Sequence, residues 1–256
     1  MARKRKRQNP EISKDPSRRY EPLREELREY VEVCGGVPFL RHPFCNVAIA
    51  DLKRCGWIND SYDSNAAEYD SCFEAHDYEG CLRCIDITLQ PEWLAKDAWA
   101  FTDAQYWKLL AMAHGNQRTT IRYRDLFDEL FRAERLGREH LMTDEERAIF
   151  ARLPKRVRVY RGYSGDDLYA DGIAWTLDQR QALWYANWHR SDDDPMIASG
   201  TVSRDDIWAY LEGGNILLPS EKVRNRLDED ALNPAARVPW MEFMSPPFDV
   251  TPLLRK

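Results

Sequence analysis

The chain has 256 residues, 43% of them hydrophobic, enough for the core of one large domain or two small ones. No stretch approaches the run of roughly 18–20 apolar residues that spans a bilayer, and no apolar segment follows the basic amino terminus, so a cytoplasmic protein is expected and a membrane partner is not. The net charge is −6, yet residues 1–20 hold eight Lys/Arg against two acids; the remainder carries −12, which excludes a body dedicated to binding nucleic acid.

Residues 1–19 read as a basic disordered tail, suited to solubility and to touching nucleic acid or an acidic partner. Between Pro22 and Val33, Leu23, Leu27, Tyr30 and Val31 share one helical face, and Gly35-Gly36 is read as its stop. Residues 37–95 mix aromatics, acids and cysteines, and helices are predicted near 46–55 and 66–87. Cys72-x3-His76-x4-Cys81-x2-Cys84 offers four zinc-type ligands. Structural zinc pairs come as two separated hairpins, however, and this segment reads as helical. Reduced core thiols are therefore preferred, and no metal is assigned. Without an export signal, no disulfide framework is expected either.

A clearer helix covers 103–114, with Tyr106, Leu109, Leu110 and Ala113 on one face behind a Thr102-Asp103 cap. Leu126, Leu130, Phe131 and Leu136 mark another. Thr143-Asp-Glu-Glu146 is a capping box opening a helix that ends at Leu153-Pro154. Residues 20–142 thus form a mostly helical region.

At Pro154 the period changes. Val157 and Val159 alternate with Arg156, Arg158 and Tyr160, and that count puts Arg161 on the valine face. Gly172–Leu177 is a second strand, and Asp178 caps a helix carrying Ala182, Leu183, Tyr185 and Ala186. A turn at 191–195 leads to strands at Met196–Val202, Ile207–Leu211 and Asn215–Leu218. Residues 143–256 therefore read as an α+β domain, closed by a proline- and aromatic-rich segment that wraps it.

An arginine at a strand end, followed by glycine, can offer its guanidinium fork to a phosphate while the glycine lets the ligand approach the backbone. The bland alternative is an arginine snorkelling to solvent. The ordered series around it is more specific. Val159-Tyr-Arg-Gly162, Gly172-Ile-Ala-Trp-Thr-Leu177, Ala182-Leu-Trp-Tyr-Ala186, Gly200-Thr-Val202, Asp206-Ile-Trp-Ala-Tyr210 and Asn215-Ile-Leu-Leu-Pro219 follow one another in order. Over about residues 143–219 this resembles the ADP-ribosyltransferase fold of the Arg–Ser/Thr–Glu type, in its phage and bacterial branch.

The resemblance implies a split β-sheet domain that uses NAD as substrate. It implies cleavage of the nicotinamide–ribose bond and transfer of ADP-ribose to a macromolecular acceptor, a host protein if the chain is phage-encoded. It assigns Arg161 to the pyrophosphate or ribose region, flanked by Tyr160 and Gly162. Thr176, beside Trp175, falls to the nicotinamide ribose, and Trp184 or Tyr185 to the nicotinamide. The catalytic acid position is Asn215, position 213 is glycine, and the Ser position of the second motif is Ala174. A bulge at Gly213-Gly214 would turn Glu212 into the cleft, and Glu221 is a remoter acid. The alternative is a catalytically degenerate module that binds NAD, ADP-ribose or a protein partner. A third reading is that residues 20–142 recognise a macromolecular target, with the basic tail assisting.

Overall fold

The computed structural model describes residues 20–116, 123–164, 171–188 and 195–230. The expected tail at 1–19, most of the turn at 191–195 and the wrap beyond 230 lie outside the described residues. The chain forms two compact units, Met1–Ala100 with Gly115–Gln117, and Phe101–His114 with Arg118–Lys256. Helix and sheet are mixed, an α+β class. Among the described residues no helix is long and apolar enough to cross a membrane.

In the first unit, the helix expected over 22–33 is reduced to one turn, α1 (Glu25–Arg28), and the chain then enters a sheet. Strands β1 (Val31–Cys34), β2 (Val37–His42) and β3 (Cys45–Ala48) pair antiparallel in chain order. The reason lies at Gly35 and Gly36. Both take positive φ, +59° and +82°, which makes them the two central residues of a tight hairpin rather than a helix stop. The helix expected near 46–55 is likewise replaced by β3, whose Val47 pairs with Leu40. Leu40, Leu23, Leu27, Ile49 and Ile58 form the core beneath this sheet.

Helices α2 (Gly56–Glu74), α3 (Tyr78–Cys84) and α4 (Gln90–Asp97) follow. Asp77 starts α3 by accepting the Gly80 N–H at 2.8 Å. Gly80 packs tightly against α2, since a Cβ there would meet Cys72 Sγ at 2.5 Å.

The second unit begins with α5 (Asp103–Asn116), whose predicted face is buried at Tyr106, Leu109, Leu110 and Ala113. Thr102 caps it as expected, and Gln105, which was not singled out from sequence, returns the bond to the Thr102 N–H. Helix α6 (Arg124–Phe131) ends before Leu136, which is 82% exposed and not part of its apolar face. Helix α7 (Asp144–Arg152) has the predicted capping box, with both halves made between Thr143 and Glu146.

Six strands then form one antiparallel sheet: β4 (Arg156–Ser164), β5 (Ala174–Thr176), β6 (Pro195–Ser203), β7 (Ala209–Leu211), β8 (Asn215–Leu217) and β9 (Arg224–Asp230). Their order across the sheet is β7-β8-β5-β4-β6-β9. The expected split is reduced to a narrow junction, since β4 and β5 share one register pair, Tyr160 with Thr176. Helix α8 (Gln179–Trp188) covers one face through Ala182, Leu183 and Ala186, packed with Ile197 and Tyr160. Asp178 starts it by accepting the Arg180 N–H at 2.8 Å.

Candidate functional site

The register decides which side chains can meet. Directly paired residues in an antiparallel sheet share a face, and neighbours along a strand alternate. Tyr160 pairs with Thr176, and Thr176 with Asn215, so these three lie on the α8 face. Val157, Val159, Arg161 and Tyr163 lie on the other face, as do Trp175 and Ile216. The sheet therefore brings the strands of Arg161, Thr176 and Asn215 side by side, but it separates Arg161 from the other two by its own thickness.

Arg161 turns into the gap where β4 and β5 diverge. Its Nη1 donates to the Ala174 carbonyl. The guanidinium lies over Gly172, where a Cβ would come within 2.1 Å of Nη2, so glycine is required for this seat. Burial, then the positive charges of Arg226 and Arg124, lower its pKa to about 10, and Asp171 opposes them. The group stays protonated at neutral pH, among arginines that are themselves paired with carboxylates. Arg226 bridges Asp171 at 2.6 Å and Asp228 at 3.0 Å, and Tyr163 donates its phenol hydrogen to Asp228 at 3.0 Å. Sequence reasoning missed Arg226, Asp171 and Asp228, which reach Arg161 only through non-local pairing.

Gly162 serves packing. A Cβ there would lie 1.7 Å from the Ala182 carbonyl and 2.5 Å from the Ala186 nitrogen, so its bare backbone admits α8 onto β4. Tyr160 packs into the cluster beneath the same helix. Trp175 is 1% exposed and donates its indole N–H to the Gly172 carbonyl at 2.9 Å. Tyr185 is half-buried and meets Trp184 edge to face at 5.1 Å.

Thr176 is 1% exposed. Its hydroxyl lies within hydrogen-bond reach of Gln181 Oε1 and of the Gly214 carbonyl, and accepts the Asp178 N–H at 3.2 Å. The hydroxyl is thus consumed in fixing the start of α8. Gln181, also buried, was not singled out from sequence because a polar residue at a helix start reads as solvated.

Glu212 does not sit on a bulge. Leu211 pairs with Asn215, which makes Glu212–Gly214 a three-residue hairpin loop between β7 and β8, with φ +79° at Gly213 and +85° at Gly214. Glu212 is exposed on that loop, and its backbone N–H donates to Glu146 Oε1 at 2.7 Å. Asn215 Nδ2 donates to the Glu212 carbonyl at 3.2 Å. Glu221 is engaged by Arg132 at 2.8 Å.

In the first unit, Cys81 and Cys84 donate to the Tyr69 and Gly80 carbonyls, and burial pushes their thiols up to about 11 and about 12. Cys72 is half-buried, and His76 is exposed at φ +55°. Among the described residues no group of three or more His, Cys, Asp or Glu is placed to hold a metal ion.

Chemically, the Arg161 cluster is equipped to hold an anion, and the Glu212–Asn215 hairpin presents one exposed carboxylate beside a neutral amide. Comparison with family models, curated proteins and solved structures finds no match to this chain.

Proposed function

We propose that the second unit recognises a nucleotide of the NAD or ADP-ribose type and holds it without cleaving the nicotinamide–ribose bond. The observation that carries this reading is the gathering of Arg161, Arg226 and Arg124 around the Gly172 turn, with Asp171, Asp228 and Asp125 as carboxylates among them. These arginines are partly buried, where an anionic partner is favoured, and a diphosphate suits a guanidinium fork. The nucleotide class comes from the sequence resemblance over residues 143–219.

Three features argue against turnover. Asn215 cannot supply the negative charge that stabilises an oxocarbenium-like transition state, a contribution of about 3–4 kcal/mol for comparable electrostatic groups. Thr176 is tied to Gln181 and Gly214. Ala174 offers no hydroxyl. The protein would work in the cytoplasm, with its thiols reduced and a protein as its macromolecular partner.

Calorimetric titration with NAD and ADP-ribose tests this. Binding without nicotinamide release, weakened about tenfold or more by Arg161→Gln, is the expected result. Absence of binding to either nucleotide overturns it.

A second reading, an active transferase, is favoured by one observation: Glu212 is exposed on the hairpin beside Asn215. Transfer of label from NAD to a lysate protein, abolished by Glu212→Gln, would establish it in place of the first.

A further inference from the structure

The first unit contains a cavity of about 370 Å³ that plays no part in the proposal above. That volume falls in the range of small-molecule sites. Tyr30, His42, Phe44, Tyr69 and Trp93 line it. Their rings are locked together: His42 meets Tyr30 edge to face at 4.6 Å and Phe44 at 5.3 Å, and Phe44 meets Tyr69 at 5.2 Å. The wall is therefore preformed and aromatic.

Two hydrogen-bond donors in this wall lack acceptors among the described residues. His42 is 9% exposed, and its Nδ1 accepts the Phe44 N–H at 3.1 Å. Burial favours the neutral ring, and with Nδ1 accepting, that ring carries its proton on Nε2, for which the described residues offer no acceptor. Tyr69 accepts the Trp93 indole N–H at 3.2 Å, which leaves its own phenol hydrogen to donate. Both residues line the cavity, so a ligand there that carries acceptors can take these two hydrogens in place of water.

Charge narrows the class further. Arg41 and Glu92 pair at the cavity, and Lys96 and Asp97 add one charge of each sign. With these charges balanced, an organic cation would gain from the ring faces alone while facing Arg41 and Lys96 at the same cavity. A neutral guest meets no such penalty.

We propose that this cavity is a binding site for an uncharged planar heteroaromatic ring bearing carbonyl or ring-nitrogen acceptors, the chemistry of a nucleobase, presented on a small molecule. Ring stacking supplies the contact, while His42 Nε2–H and Tyr69 O–H read the acceptors.

Ligand-observed NMR and calorimetry on the full chain test the site, with uridine, adenosine and guanosine as probes and choline and N-acetyltyrosinamide as controls. At least one nucleoside should bind, with choline and the tyrosine amide at least about tenfold weaker. His42→Phe keeps a ring and removes one donor; Tyr69→Phe removes the other. Each should weaken nucleoside binding about tenfold with the circular dichroism spectrum retained. Should His42→Phe fail to fold, Tyr69→Phe decides the matter alone. No nucleoside binding at millimolar concentration, a preference for choline or the tyrosine amide, or affinity unchanged in a folded variant overturns the proposal. Nucleosides lack the phosphates that the Arg161 cluster would hold, so the two proposals stand or fall separately.

Discussion

His114 couples folding to pH. It is 9% exposed, set edge to face against Phe127 and Phe131, and its Nε2 has no partner among the described residues. Burial first, and Arg161 second, lower its pKa to about 4. The unfolded chain binds this proton with a pKa near 6.5, so between those values the unfolded state carries more protons. The contribution is whole above pH 6.5 and is lost as pH falls toward 4; at pH 5 the loss is about 2 kcal/mol. His114→Phe should flatten this window, seen as a smaller fall in the urea midpoint between pH 7 and pH 5 than in the parent. His42, also lowered by burial, keeps a residual slope of the same sign. Thr176 gives a second prediction at this scale. Thr176→Val leaves Gln181 buried without its partner, and thermal unfolding should report a loss of about 1–3 kcal/mol. Neither environment was legible in the sequence. Each depends on which residues from other elements close over the side chain, and one chain's spacing says nothing about that.

The elements themselves were legible where the signal is local. The capping box at Thr143, the valine alternation before Arg161 and the apolar face of α5 all appear as read. Thr143→Ala should lower stability by about 1 kcal/mol, checked by denaturant unfolding with an unchanged slope. The failures came where two periods compete. Leu23, Leu27, Tyr30 and Val31 fit a helical face, yet Val31 and Val33 are β-branched and lead into two glycines at positive φ, so hairpin formation wins. At Gly213-Gly214 the same competition set a bulge against a hairpin, and the short β7–β8 pair settled it. Gly162 was read for ligand approach, while the structure gives it to packing. Gly162→Ala should cost at least about 3 kcal/mol, because the added carbon meets helix backbone, which has no rotamer by which to yield. Loss of soluble expression, or a sharply lowered melting temperature, would register this, and an unaffected midpoint would contradict the packing role.

For the whole molecule, charge asymmetry makes the last prediction. The chain beyond residue 20 carries −12, and the eight Lys/Arg of the first twenty residues are offset by two acids. A polyanion meets net repulsion from the body, so any binding to nucleic acid must run through the amino-terminal segment. Each phosphate contact displaces condensed counterions, giving a log–log salt slope of about −0.7 per contact on a single strand. With eight cations the slope can reach about −6 and no further. Deleting residues 1–19 should abolish retention on an oligonucleotide column at low salt while leaving nucleotide binding by the Arg161 cluster intact, because those arginines come from α6, β4 and β9. Retention of the truncated chain, or a slope steeper than eight contacts allow, would place the polyanion contact on the folded body and require a basic face there that outweighs its net charge.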